Sequence, residues 1–335
     1  VAPPEHNFTS IILNRRAFSK LAAASFAVGP AARSSNMENS ETARSGTLTD
    51  VPGIRVGHDT LARRPTGCTV VLPDAPAVAG VDVRGSAPGT RETDLLDPVK
   101  SVQRVNGLFL SGGSAFGLDV GTGVVRYLEE RGEGFKTGAG PVPIVPGAIL
   151  FDLSLGDGSI RPDAESGYRA CLAASDRPVP PGNVGAGAGA TVGKLLGMDR
   201  AMKGGVGSAS VRVGELVVAA LAAVNCIGDV RDPETDAILA GARGKKGTGF
   251  ANLREVLRSR LLEGPGFSGE STNTTLAVVA TNADFNQAEM TKVAQMGQDG
   301  LARSIDPAHL PFDGDVLFAL CTGRLQEASL SQVGA

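Results

Sequence analysis

Nine consecutive residues, Leu216 to Val224, carry no polar side chain, and the run ends on an amide, Asn225. An apolar stretch of this length without alternation reads as a β-strand buried on both faces, so layers must cover its sheet on each side. A buried amide at its end must find hydrogen-bond partners within the protein. A second apolar strand, Thr275 to Thr281, starts directly from a loop of small polar residues, Ser271-Thr272-Asn273-Thr274. The hydroxyl of Thr274 therefore sits where irregular backbone becomes rigid sheet, a position that suits a nucleophile. The same pattern also marks ordinary strand starts. Asn273-Thr274-Thr275 fits an N-glycosylation sequon too, which matters only in a eukaryotic secretory pathway.

The rest of the chain alternates strand and helix signals, which places it in the α/β class. Ile54 to Val56 and Thr69 to Leu72 read as early strands, and His58 between them as a turn or packing residue. Val105 to Leu110, the turn Ser111-Gly112-Gly113-Ser114 and Ala115 to Arg131 read as strand, turn and helix. In that helix Phe116, Val120, Val124 and Leu128 recur at steps of four and are expected to face a sheet. Pro143 to Leu153 is expected to be a strand carrying Phe151 and Asp152 near its end. Asp163 to Ser175 is expected to be a helix with its alanines and Leu172 on the packed side. A long connection, 232–270, holds a short helix near Leu253 to Leu262 and leads to Asn273; connections of this size are often functional. Gln287 to Arg303 is a helix with Met290, Val293, Ala294 and Leu301 inward. Asp313-Gly314-Asp315 precedes a last strand, Val316 to Leu320, and by default reads as a solvated turn.

Several familiar devices are excluded by their details. A nucleophile elbow around Ser114 would need glycine where Phe116 stands, although backbone amides of Gly112, Gly113 and Ser114 could help hold an oxyanion. Gly185 to Lys194 is no phosphate loop, because Ala188 and Leu195 stand where glycine and a magnesium-binding hydroxyl belong. It is no dinucleotide fingerprint either, since Val192 replaces the third glycine. Lys194 is thereby available for another role. A net charge of −3 without a basic run in the body argues against nucleic acid and for small neutral or amine-bearing substrates. Cys68, Cys171, Cys226 and Cys321 are too far apart for zinc or redox spacing and read as small buried hydrophobes. Glycine and proline make up about a fifth of the chain, which means many tight turns rather than low complexity.

At the N-terminus, Arg15-Arg16, Phe18 and the short apolar run Leu21 to Val28 resemble a bacterial twin-arginine export signal over 1–32. The run is too short to span a bilayer permanently. Residues 33–46 read as a linker, and a single domain follows over 47–335. The expected location is periplasmic or secreted, with the cytoplasm as the alternative. A chain that folds before export keeps free thiols without contradiction.

Four separated stretches together carry a specific likeness: Val83 to Thr93, Leu110 to Leu118, Gly185 to Lys194, and Asn273 to Leu276. In this order they resemble the DmpA-type L-aminopeptidase/D-esterase/amidase family, which includes the nylon-oligomer hydrolases. The resemblance implies a four-layer αββα sandwich. It implies self-cleavage between Asn273 and Thr274, into 47–273 and 274–335, with Thr274 as the N-terminal nucleophile. Threonine after asparagine is more similar to the nylon-oligomer hydrolase branch. Lys194 matches a lysine beside the nucleophile, and Asn225 a candidate oxyanion donor. Asp313 and Asp315 match site aspartates: Asp315 is expected to orient the threonine and its amine and Asp313 to pair with a substrate amine, with the exchange of these two roles as the alternative. Phe151 stands where relatives carry tyrosine, at the substrate pocket or oxyanion site. No metal or cofactor is implied, and assembly into homo-oligomers, often tetramers of cleaved units, is. The function expected is hydrolysis of amide bonds in peptides or amino-acid amides through an acyl-threonine. The alternatives are an endo-acting ω-amino-acid oligomer hydrolase, an ornithine-type acyltransferase and a non-catalytic exported binding protein.

Overall fold

The two apolar runs lie side by side at the centre of a computed structural model that describes residues 46–245, 247–263 and 273–334. The export signal, the linker up to residue 45, and Ser271 and Thr272 lie outside the described residues. The main strands are β1 (Ile54–Thr60), β2 (Gly67–Pro73), β3 (Ala77–Val83), β4 (Thr90–Arg91), β5 (Arg104–Val105), β6 (Leu108–Ser111), β7 (Gly147–Ile149), β8 (Gly205–Val213), β9 (Leu216–Asn225), β10 (Thr274–Ala283) and β11 (Val316–Leu325). The main helices are α1 (Val120–Glu129), α2 (Ala164–Leu172), α3 (Leu253–Glu263) and α4 (Gln287–Ser304). One sheet has the order β1-β2-β6-β7-β4 and the other β8-β9-β10-β11-β3-β5.

Side-chain alternation along these strands builds the layers. On β9, Val217, Ala219, Leu221 and Ala223 point between the sheets, into the core that also holds Val71, Leu110, Val278 and Phe318. The intervening Ala220, Ala222 and Val224 face the other way, toward Met290, Val293, Ala294 and Leu301 of α4. On the far sheet, Val70, Leu72 and Phe109 meet Val120, Val124 and Leu128 of α1 and Ala170 and Cys171 of α2. The result is helix, sheet, sheet, helix. The four cysteines are buried free thiols.

Local details depart from the sequence reading in four places. Phe116 is 58% exposed, because Ser114–Asp119 winds as a 3-10 helix and the α-helix begins only at Val120. At three residues per turn, a step of four no longer keeps one face. Its ring instead carries the Arg161 guanidinium, 3.6 Å from the centroid. Leu172 is 59% exposed at the end of α2, whose packed stripe is Ser166, Gly167, Ala170 and Cys171. The single strand expected over Val105 to Leu110 is divided between sheets: Val105 pairs with β3, while β6 starts at Leu108. Asn106 stands at this crossing and accepts the Ile144 N–H on its side-chain oxygen at 3.0 Å. Only Gly147–Ile149 of the expected 143–153 strand joins a sheet, which leaves Phe151 and Asp152 in a loop.

Helices α1 and α2 cross at mutual glycines. A Cβ at Gly123 would lie 1.7 Å from the Ala164 carbonyl oxygen, and one at Gly167 would lie 2.1 Å from that of Val120. Alanine is favoured over glycine in an exposed helix interior by about 1 kcal/mol. Here Gly123→Ala is expected to destabilise the protein by about 1–3 kcal/mol through overpacking against backbone. Denaturant unfolding measures this, and a more stable variant would contradict the close crossing.

Candidate active site

Register brings the candidate residues together. In the antiparallel β9/β10 ladder, Asn225 lies opposite Thr274 and Val224 opposite Thr275. On the other side β11 runs parallel to β10, with Leu276 beside Val316, so the Asp313 to Asp315 turn reaches the same end of the sheet. Asn273 forms an isolated parallel bridge with Asp313.

Thr274 is 5% exposed, and its Oγ1 donates to the carbonyl oxygen of Asn273 at 2.5 Å. The Gly314 N–H donates to the same oxygen at 2.9 Å. A Cβ on Gly314 would lie 2.6 Å from Thr274 Oγ1, so a side chain is excluded where the turn approaches the hydroxyl. The Thr275 N–H donates to Asp315 Oδ1 at 2.6 Å, and Asp315 Oδ2 lies 2.8 Å from His309 Nδ1. Asp313 Oδ2 accepts the Leu310 N–H at 2.8 Å, while its Oδ1 is buried without a partner.

Asn225 is held from every side. Its Oδ1 accepts from Thr191 N at 3.0 Å, Thr191 Oγ1 at 3.3 Å and Lys194 Nζ at 3.0 Å. These donors leave one orientation for the amide, with Nδ2 donating to the Phe151 carbonyl at 2.9 Å. Lys194 Nζ also donates to the Asn225 main-chain carbonyl at 2.9 Å. Phe151 thus contributes a carbonyl oxygen to this network. The loop behind it is anchored by Asp152, which forms a fully buried ion pair with Arg64 and accepts from Thr66 Oγ1 at 2.6 Å and Gly113 N at 2.9 Å. In the glycine turn, Gly112 N donates to Gly67 O and Ser114 N to Leu150 O. All three amides considered for an oxyanion are therefore engaged within the protein. The turn is instead tied to this network by the Gly113 N–H on Asp152, the residue after Phe151.

The neighbouring charges are strongly displaced from ordinary behaviour. Burial pushes Lys194 down to about 7, with the nearby negative groups opposing that fall. Burial, and then the charge of Asp315, pushes Asp313 up to about 7. Near neutral pH the site therefore holds an amine that can take up or release a proton and a carboxyl that can carry one.

Thr274, Lys194, Asn225, Asp313 and Asp315 thus converge, and Phe151 joins them through its backbone. His309, Gly314, Thr191 and Asp152 were not singled out from sequence for this site. Gly314 carries a usable signal in its place between two aspartates, and Thr191 in its place within the glycine-rich stretch. His309 is one of only three histidines.

The model of peptidase family S58 matches residues 46–334. An uncharacterised aminopeptidase of Mycobacterium leprae (strain TN) is 42% identical over 313 residues, covering 86% of this chain and 81% of that protein. A 6-aminohexanoate-oligomer endohydrolase of Agromyces sp. (strain KY5R) is 29% identical over 276 residues, covering 82% of this chain and 75% of its own length. Among solved structures, a Burkholderia sp. beta-aminopeptidase superposes with a TM-score of 0.61 at 25% identity, over 85% of this chain and 76% of the other. The L-aminopeptidase D-Ala-esterase/amidase of Ochrobactrum anthropi, described as a variant of the Ntn hydrolase fold, also gives 0.61, at 19% identity over 84% of this chain and 76% of its own.

The displaced Asp313 has a consequence for stability. Its folded value lies above the ordinary carboxylate value, so the native state binds the extra proton between about 4 and 7, and stability falls as pH rises through that window. Asp313→Asn keeps an acceptor for the Leu310 N–H but cannot ionise. It is expected to be more stable than wild type at pH 8, by on the order of 2 kcal/mol, with the gain disappearing below about pH 4. Chemical denaturation across pH measures this, and a gain that grows toward acid would reverse the assigned sign.

Proposed function

The chain belongs to peptidase family S58, and we propose that it is a self-processing hydrolase in which Thr274, exposed by cleavage after Asn273, attacks amide bonds of small peptides or amino-acid amides. The observation that carries this reading is the pair of contacts on one carbonyl. The Thr274 hydroxyl lies 2.5 Å from the Asn273 oxygen, and the Gly314 N–H holds that same oxygen.

In the first step Oγ1 bonds to the Asn273 carbonyl carbon, and the Gly314 N–H stabilises the negative oxygen that forms. The carbon–nitrogen bond breaks, and the hydroxyl proton passes to the departing nitrogen of Thr274. Water then opens the ester, leaving a carboxylate on Asn273 and restoring the Thr274 hydroxyl beside a new α-amine. Such an amine has an ordinary pKa of about 7.7–8.0, so at neutral pH it can serve as base for its own hydroxyl. A lysine charge beside the new amine lowers the pKa of the amine and favours its free-base form, and Lys194, brought to about 7 by burial, carries that charge in part at neutral pH.

In turnover the substrate acyl group takes the place of Asn273 on Oγ1. The Asn225 side chain, opposite Thr274, is the candidate donor to its oxyanion, through the same Nδ2 that donates one of its two N–H bonds to the Phe151 carbonyl. The proton received by the amine goes to the leaving nitrogen, and water releases the acyl group. The 42% identity to an uncharacterised aminopeptidase, against 29% to a 6-aminohexanoate-oligomer endohydrolase, supports the aminopeptidase or amidase reading over the endohydrolase alternative.

Intact mass and N-terminal sequencing after overnight incubation are expected to give two fragments, the smaller beginning at Thr274. Thr274→Ala is expected to remain one folded, inactive chain, and a cut between 273 and 274 in that variant would overturn the reading. Gly314→Ala crowds the hydroxyl and disturbs the donor, and is expected to slow self-cleavage about tenfold or more. A variant that processes at the wild-type rate would remove Gly314 from the first step.

A further inference from the structure

His309 has no role in the chemistry above, yet its contacts lead directly to the nucleophile. Its ring faces Asp315 Oδ2 at 2.8 Å and its own N–H approaches that oxygen at 3.3 Å, while the other oxygen of Asp315 accepts the Thr275 N–H. Histidine and Thr275 thus grip one carboxylate from opposite sides, one residue away from Thr274. The backbone of His309 sits at φ +56°, in the left-handed region that non-glycine residues seldom occupy. Such a conformation persists only where surrounding contacts enforce it.

We propose that His309 is a positioning residue that clamps the Asp315 carboxylate onto the Thr275 amide and supplies its counter-charge, leaving Asp313 as the proton-bearing member of the pair. The inference rests on the reading of Thr274 as nucleophile. Two buried carboxyls so close together cannot both ionise cheaply. A cation that touches only one of them decides which keeps the charge, and His309 touches Asp315. Asp313 is held at Oδ2 by the Leu310 N–H, and its Oδ1 is unpartnered.

The surroundings of His309 act on it in both directions. Burial alone would lower its pKa, but the hydrogen bond and charge of Asp315, then the Gln298 main chain on α4, outweigh burial and raise it. Arg84, which follows β3, opposes the rise; the charges of Lys194 and His309 both act to lower Asp313, but burial and Asp315 outweigh them. The exchangeable roles of the two aspartates are thereby separated. Asp315 orients the start of β10, and Asp313 can exchange a proton.

The test times self-cleavage of full-length wild-type, His309→Ala and His309→Gln chains, made by cell-free translation and moved into a series of buffers from acid to alkaline. Loss of the counter-charge is expected to slow His309→Ala at every pH and to move the acid limb of the rate profile up by about one pH unit. Glutamine can donate a hydrogen bond without charge, so His309→Gln should recover the alkaline plateau and keep the displaced limb. A second measurement needs no cleavage. In the Thr274→Ala background, a raised histidine contributes stability that is full below the ordinary histidine value of about 6.5 and lost as pH rises through the folded value. The deficit of His309→Gln in that background should therefore be largest in acid. Superimposable profiles, a glutamine variant that recovers the limb as well as the plateau, or a deficit independent of pH would each overturn the proposal. A wild-type chain that stays whole would overturn the Thr274 reading itself, and this inference with it.

Discussion

One antiparallel register, that of β9 against β10, is what the rest of the structure depends on. Side chains alternate with a period of two, so a slip of one residue would exchange the layer between the sheets with the layer under α4. Apolar residues occupy both faces of both strands, and hydrophobicity alone would discriminate weakly between registers. Polar contacts at the two ends add to it, one set anchoring β9 and the other crossing directly to β10. At one end Asn225 is fixed by Thr191, Lys194 and Phe151. At the other, Thr281 Oγ1 donates to the Val217 carbonyl at 2.9 Å, while Asn282 accepts the Val217 N–H at 2.9 Å and donates to the Glu215 carbonyl at 2.8 Å. The Thr281 and Asn282 contacts that set this register, and so place Asn225 opposite Thr274, are therefore the same ones that keep each hydrophobic layer supplied with its own side chains.

Burial has opposite uses on the two sides of this register. Arg64 and Asp152 are wholly buried, and the pair is accompanied by enough further bonds that both charges are satisfied. Their work is mechanical, holding the Phe151 loop. Lys194 and Asp313 are also shielded from water, but Asp313 has an unpartnered oxygen and both titrate near neutrality. Incomplete satisfaction destabilises a fold and at the same time gives groups that exchange protons at working pH. The fold carries the second pair because the first, together with the sheet, keeps its surroundings in place.

Long-period patterns were legible in the sequence, and short-range geometry was not. The Leu216 run and the inward stripe Met290, Val293, Ala294 and Leu301 appear where hydrophobic periodicity puts them, whereas the aspartates ahead of β11, which by turn chemistry alone read as solvated, are buried. Nothing in the spacing at Phe116 distinguishes a 3-10 turn from the start of an α-helix. The 105–110 stretch looks continuous, and only the three-dimensional pairing reveals that Asn106 and Gly107 carry the chain from one sheet to the other. The glycine turn suggested an anion cradle, but its amides are spent on Gly67, Asp152 and Leu150, partners distant in sequence. His309 gave no local sign, since a left-handed histidine six residues before Asp315 matters only once the loop closes on it.

The sheet order also determines what a broken chain would become. Strands β10 and β11 are neighbours, flanked by β9 on one side and β3 on the other. A cut ahead of Thr274 would therefore leave the shorter piece wedged between strands of the longer, with both of its edges paired. Unfolding would change from a unimolecular event into a dissociation, and resistance to heat would come to depend on protein concentration. The separated pieces would also have lost the tether that first threaded one between strands of the other. Such an enzyme would persist through slow escape from its assembled state rather than through an ability to find that state again.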